Sequence, residues 1–166
     1  DITQEEKQQV SQLLQQSANQ ARAATTLDGG ESQNWSNLAR IYNNLIEISE
    51  DALEWTIQSY VSAIQTHPTD PVLRLEVANL FTAQKDYSRA LGLIDQAIEL
   101  KADLPASYFQ KAQVLELIKT PEALQLARSA YQTTLLLLNQ SSEDYVTVTQ
   151  KLEALEAYMT ENKIPL

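Results

Sequence analysis

The chain has 166 residues, 43% of them hydrophobic, with 3 Gly, 5 Pro, no Cys and a formal net charge of -10. That is enough apolar material for one domain or one short repeat array, and too little Gly and Pro for a disordered or all-β chain. The missing cysteines exclude disulfides, zinc–cysteine sites and thiol catalysis. The acidic balance disfavours nucleic acid and anionic membrane surfaces, and no apolar run approaches the roughly 18 residues of a membrane span.

The elements then read as helices from end to end. Thr3 and Glu6 have capping-box spacing, and Val10, Leu13, Leu14, Ser17, Ala21 and Ala24 follow at helical intervals until Gly29-Gly30. A second helix starts near Gln33 and carries Trp35, Leu38, Ala39, Tyr42 and Leu45; a third runs through Trp55, Tyr60 and Ile64 and stops before Pro68. Asp70-Pro71 is a strong start signal, because Asp caps free N–H groups and Pro is tolerated at the first helical position. The helix after it carries Leu73, Val77, Leu80 and Phe81. Asp86 opens the next, with Ala90, Ile94 and Ala97, and Pro105 another, with Tyr108, Phe109, Ala112 and Leu115. Thr120-Pro121 repeats the cap-then-proline signature before Leu124, Ala127 and Tyr131. A last helix begins between Ser141 and Asp144 and contains Val146, Leu152, Leu155 and Tyr158. Tyr145 to Thr149 alternates like a strand, but the helical pattern resumes at Leu152 with no turn between, so helix is expected throughout.

One arrangement recurs: large residues beside small ones, on pairs of helices. It resembles the tetratricopeptide repeat, a helix-turn-helix of about 34 residues with large residues at positions 4, 7, 11 and 24 and small ones at 8, 20 and 27. From Pro71, Val77 falls at position 7, Ala78 at 8, Phe81 at 11, Ala90 at 20, Ile94 at 24 and Ala97 at 27. Before it, Trp35, Leu38, Ala39 and Tyr42 match positions 4, 7, 8 and 11, and Tyr60, Ala63 and Pro68 match 24, 27 and 32, with about five extra residues between. After it, Tyr108, Ala112 and Leu115 match 4, 8 and 11, and Ala127 and Tyr131 match 20 and 24, with about three extra near Thr120. Arg74 and Lys111 depart from the pattern at positions 4 and 7. Ser17, Ala21 and Ala24 continue the register backward, so the first helix resembles the second half of a repeat.

The resemblance implies an all-α fold, a right-handed α-α superhelix of such hairpins with an extra helix at each end. A single domain over 1–166 is expected. It comprises a leading helix in 1–29, repeats at 32–69, 71–104 and 105–140, and a capping helix in 142–160 whose charged residues suit water. The chain begins at Asp1 without a signal-peptide pattern, which suggests a piece of a longer protein. The compartment stays open, cytoplasmic or extracytoplasmic.

Candidate chemistry is sparse. His67, the single histidine, precedes Pro68 in a turn with no nucleophile or second ligand in the pattern, and reads as a solvated turn residue. Glu47, Glu50, Asp51 and Glu54 crowd the inserted turn but lack the spacing of a calcium loop, and suit a first helical turn instead. Asn34 and Asn139 stand in glycosylation-acceptor triplets and are read as chance matches. No cofactor, metal or catalytic residue is assigned.

What the resemblance implies instead is a binding face. In the family, positions 2, 5, 9, 12 and 13 of each first helix line a concave groove. Here those positions include Arg40, Asn43 and Asn44 in the first repeat, Leu75, Asn79 and Thr82 in the second, and Phe109, Gln113 and Glu116 in the third. Asn amides can hold an extended peptide by its backbone, and Leu75 and Phe109 can seat an apolar side chain. Ser36 and Leu75 stand where a carboxylate clamp has lysine, which argues against that ligand class. The expected function is a non-catalytic scaffold binding a protein or peptide through its concave face. Two alternatives are a soluble accessory domain of a larger bacterial membrane protein, such as a polysaccharide polymerase or ligase, and self-association through the first helix.

Overall fold

A computed structural model of the chain describes residues 4–47, 49 and 51–166, and among them the side chains of all but 4–7 and 11. The capping box read at Thr3 and Glu6, and Glu50 of the acidic turn, lie outside what is described. The described residues form eight α-helices and no strand: α1 Gln4–Leu27, α2 Ser32–Asn43, α3 Ala52–Thr66, α4 Pro71–Ala83, α5 Tyr87–Leu100, α6 Pro105–Ile118, α7 Pro121–Leu137 and α8 Glu143–Glu161. The stretch Tyr145 to Thr149 is helical, inside α8. The chain divides into two compact units, Asp1–Leu73 and Arg74–Leu166, described in turn.

Helix boundaries follow the capping residues. Asp70 Oδ1 accepts from Val72 N at 2.8 Å, and Asp86 Oδ1 from Arg89 N at 3.0 Å. Thr120 Oγ1 accepts from Ala123 N and Ser142 Oγ from Tyr145 N, both at 3.2 Å. Each satisfies an N–H that the helix itself leaves free. The Asp86 carboxyl is held below its usual range, first by the Arg89 backbone N–H and then by the Arg89 side chain. At the other ends, Lys85, Lys119 and Lys163 take left-handed φ of 60°, 62° and 57°. After α4, Asp86 N donates to Phe81 O at 2.9 Å, and after α8 Ile164 N donates to Met159 O at 2.8 Å. These six-to-one closures usually employ glycine at the left-handed position.

In the first unit, α1 lies against α2, and α2 pairs with α3. The core gathers Ala18, Leu38, Tyr42, Leu45 and Ala52. The turn after α1 is tied down by Trp35 Nε1 donating to Gly29 O at 2.9 Å and Asn34 Nδ2 donating to Asp28 O at 3.1 Å. A Cβ at Gly29 would come within 3.1 Å of the Thr25 carbonyl oxygen, a tight approach that glycine avoids.

In the second unit, Leu75 and Ala78 of α4, Ala90, Ile94 and Ala97 of α5 and Val114 of α6 form one cluster. Ala112, Leu124, Ala127, Tyr131, Val148, Leu155 and Met159 lead a second, built by α6, α7 and α8. Ala39, Ala63, Ala78, Ala90, Ala97, Ala112 and Ala127 are all fully buried. Helices approach backbone to backbone at those points, so a larger side chain there would cost about 1–3 kcal/mol through overpacking.

The extra lengths in the flanking hairpins take different forms. The α2–α3 connection is residues 44–51, whereas α6 and α7 are joined by Lys119 and Thr120 alone. The excess expected near Thr120 is helical: α7 has 17 residues where α5 has 14, close to one added turn.

Candidate functional site

On α6, Phe109, Gln113 and Glu116 are spaced by four and three residues, which puts them on one helix face. Phe109 lines a cavity of about 400 Å³ with Leu104, Pro105 and Ala106 of the α6 start, Thr134 and Leu138 of the α7 end, and Asp144, Thr147 and Val148 of α8. Two turns on, Glu116 lines a smaller one of about 270 Å³ with Lys119, Leu124, Ala154, Leu155 and Tyr158. The steps from Phe109 to Glu116 and from Val148 to Leu155 are both seven residues. α6 and α8 therefore run in the same direction, with α7 running the other way beneath them, and the two cavities lie at successive points along this α6–α8 channel, one over Phe109 and one beside Glu116.

The channel has a fixed polar point. Tyr131 of α7 is fully buried, and its hydroxyl donates to Glu116 Oε2 at 2.5 Å. Its ring lies 5.8 Å from that of Phe109. Burial first, and then the Glu116 carboxylate, push the Tyr131 phenol far above its ordinary 10.0. The phenol stays protonated and donating, and one carboxylate oxygen of Glu116 is left for another donor. Asp144, exposed in the first turn of α8, makes no ion pair among the described residues. Arg128 is occupied by Glu156 at 2.6 Å and Lys111 by Asp95 at 2.7 Å.

On α4 the expected face divides. Asn79 is exposed. Thr82 is half-buried, and its hydroxyl donates to Ala78 O at 2.7 Å. Leu75 is only 6% exposed and belongs to the core with Ile94 and Val114. Its carbonyl accepts from Gln110 Nε2 at 3.0 Å. Leu75 is therefore a packing residue: an apolar side chain at this register closes on Val114 of α6 rather than waiting for a ligand. Gln110, which the sequence reading did not single out, ties α4 to α6.

In the first unit, Arg40, Asn43 and Asn44 are exposed at the end of α2. Arg40 donates to Asn37 Oδ1 at 2.9 Å. It lines a cleft of about 440 Å³ with Asn34, Asn37 and Ile41 of α2 and Ser17, Gln20, Ala21 and Ala24 of α1. Around the other side of the helix pair, Arg22 Nη2 donates to the Tyr42 hydroxyl at 2.5 Å, and the Tyr42 and Trp55 rings lie 5.2 Å apart.

The remaining candidates stay apart. His67 is the exposed C-cap residue of α3. Glu47, Asp51 and Glu54 are exposed, Glu54 accepting from Gln58 Nε2 at 2.9 Å. Among the described residues no group of three or more His, Asp or Glu is placed to hold a metal ion, and no helix is long and apolar enough to cross a membrane. Of the α8 wall, the helical pattern of the sequence indicates Leu155 and Tyr158, which line the second cavity, but not Val148, which is buried and lines the first; Val146, which it also indicates, is 54% exposed. The 148, 152, 155, 159 spacing was the available signal, a four-three-four run on one face.

These features define a class of protein: consecutive helix-turn-helix hairpins that pack through small residues. No protein-family model matches the chain, and no curated protein matches it in sequence. Solved structures match it in fold. The first TPR of Spaghetti (RPAP3), bound to HSP90 peptide SRMEEVD, superposes with a TM-score of 0.59 at 18% identity, over 78% of this chain and 96% of that one. TTC0263, a thermophilic TPR protein in Thermus thermophilus, gives 0.71 at 17% identity over 90% and 76%. MamA gives 0.55 at 13% over 98% of each chain. The chain has the tetratricopeptide-repeat fold.

Proposed function

We propose that this chain is a non-catalytic scaffold that binds a protein or peptide segment on the face formed by the first helices of its hairpins. The observation that carries the reading is the channel between α6 and α8, with an apolar cavity over Phe109 and a carboxylate fixed by Tyr131. A cavity of about 400 Å³ is at the small end for a metabolite, yet suits one bulky side chain of a longer ligand. In the second unit Gln113 and Asn79 supply amide groups and Thr82 a hydroxyl on their first helices, while Leu75 acts from the core beneath; in the first unit Asn43, Asn44 and Arg40 supply polar groups at the end of α2. The RPAP3 repeat, similar in fold, is bound to a peptide, which supports a peptide-binding use of such a frame. That peptide ends in acidic residues, whereas here Asp144 and Glu116 mark the channel, so a ligand of different charge is expected.

The test is selection from a random peptide display library on the immobilised chain. Selected peptides are then titrated against the chain and against a variant with Asn79 and Phe109 both replaced by Ala, its helicity checked by circular dichroism. The reading expects enriched peptides that the variant binds at least about tenfold more weakly. Peptides bound equally well by the variant, or no enrichment at all, overturn it.

A further inference from the structure

The channel has two ends of different chemistry at a measurable spacing. At one end the walls are Leu104, Pro105, Phe109, Leu138 and Val148, with Asp144 at the mouth. At the other stands Glu116, one oxygen engaged by Tyr131. Seven helical residues separate Phe109 from Glu116, about 10 Å along the axis at roughly 1.5 Å per residue. An extended polyproline-II chain covers that distance in about three residues at roughly 3.1 Å each, and its three-residue turn returns the side chains at those two positions to the same face. Among the described residues, the only base lining either cavity is Lys119, at the left-handed C-cap of α6 beside Glu116, while the cavity with Asp144 has none. Arg128, on α7, is neutralised by Glu156 of α8.

Resting on the scaffold reading above, we propose that the α6–α8 channel recognises an extended segment with a bulky apolar residue and a Lys or Arg about three positions away. The apolar side chain fills the cavity over Phe109. The basic side chain pairs with the free oxygen of Glu116. Asp144 favours a second positive group beside the apolar residue and disfavours an acidic one there. Gln113, on the same helix face between the two ends, holds the segment's backbone. The Tyr131 hydroxyl keeps the Glu116 carboxylate from swinging into solvent, so part of the ordering cost is met before binding.

The probes are capped serine-glycine peptides carrying one Phe and one Lys three positions apart, in both chain directions, measured by fluorescence anisotropy. Controls replace Lys with Glu, replace Phe with Ser, or place the pair adjacent. The Phe/Lys peptide in one direction is expected to bind about tenfold more tightly than each control, and less tightly as salt rises. Glu116→Gln keeps an acceptor for Tyr131 and is expected to remove most of the Lys preference. Glu116→Lys is expected to transfer the preference to the Phe/Glu peptide. Ala106→Trp, at an exposed first-turn position, is expected to block the cavity and weaken all Phe peptides about tenfold. Equal affinity for Phe/Lys and Phe/Glu peptides, or indifference to Ala106→Trp, overturns the proposal. If library selection still yields peptides lost in the Asn79 and Phe109 double variant, the scaffold reading survives and only this motif falls. A doubled mass in light scattering that Ala106→Trp abolishes assigns the channel to a second copy and also overturns it.

Discussion

The α2–α3 and α6–α7 hairpins solve one packing problem with opposite electrostatics. Each sets an aromatic pair across its two helices, Tyr42 on Trp55 at 5.2 Å and Phe109 on Tyr131 at 5.8 Å. In the first, the buried tyrosine hydroxyl accepts from Arg22, which α1 supplies. In the second, the hydroxyl donates to Glu116, a residue of the same hairpin. The α6–α7 hairpin thus contains its own polar partner and closes through two residues, while the α2–α3 hairpin borrows its partner and spends residues 44–51 on the connection. The charge distribution runs the same way. Residues 1–73 carry ten carboxylates against three bases, residues 74–166 twelve against nine, so internal ion pairing is far easier in the second unit. A repeat frame fixes where an aromatic goes and leaves its polar partner to local supply.

The comparison is broken most severely by Tyr131→Ala. It empties a fully buried site and strands the Glu116 carboxylate, for an expected loss of about 3–5 kcal/mol. Urea denaturation followed by circular dichroism measures it, and Tyr42→Ala, whose partner Arg22 is exposed, should lose less. Tyr131→Phe removes only the hydroxyl and is expected to cost about 1–3 kcal/mol at neutral pH, as loss of a bond to a charged acceptor. The pH dependence has a definite sign. The folded phenol titrates far above 10.0 and the unfolded one near it. Above pH 10 the folded state therefore holds the extra proton, and stability falls with rising pH. The gap between the parent and Tyr131→Phe should then shrink by about 1.4 kcal/mol per pH unit. A gap constant from pH 8 to 11 would show that the hydroxyl is not held as described.

The helical frame was legible because caps and small residues carry their geometry locally. Asp70, Asp86 and Thr120 act where their side chains reach the next free N–H, and Ala78, Ala90 and Ala97 are small because backbones meet there. The channel was half legible. Phe109 and Glu116 follow from register on α6, but Val148 and Thr147 required knowing which stripe of α8 turns inward. That depends on packing against α7, and Val146, which is 54% exposed, is an equally apolar alternative. Leu75 shows the opposite limit: its position in the repeat indicates the groove, while its own hydrophobicity and the facing Val114 draw it into the core. The Tyr131–Glu116 bond joins residues fifteen apart on two helices, a pairing no periodicity encodes.

A subtler contrast lies in buried serines. Ser36 and Ser59 in the first unit donate to Gln33 O at 3.3 Å and Trp55 O at 2.7 Å. Ser107 of α6 is fully buried, and its hydroxyl has no hydrogen-bond partner among the described residues. Ser107→Ala is therefore expected to stabilise by about 1 kcal/mol, through relief of an unsatisfied group and better helix propensity. Ser59→Ala should stay within about 0.5 kcal/mol of the parent, since its carbonyl acceptor has the helix ladder as well. Parallel thermal melts of the two variants read the difference, and a destabilised Ser107→Ala would mean that its hydroxyl is satisfied after all.

The smallest effect tests the turns themselves. Lys119 closes α6 at a φ of 62°, a left-handed conformation that costs a residue with a Cβ about 1 kcal/mol. Asn44 follows α2 at a φ of -73°, in the right-handed region. One substitution should therefore act with opposite signs in the two hairpins. Lys119→Gly relieves the Cβ strain, and after the added freedom of the unfolded chain is subtracted it should gain about 0.5 kcal/mol. Asn44→Gly brings the same unfolded-state freedom with no strain to relieve, and should lose about 0.5 kcal/mol. Both side chains are exposed, so packing changes little in either case. Matched denaturation midpoints measure the pair. Equal signs would show that turn conformation does not set the difference between a two-residue and an eight-residue connection, and that the two hairpins differ only in where their tyrosines find a partner.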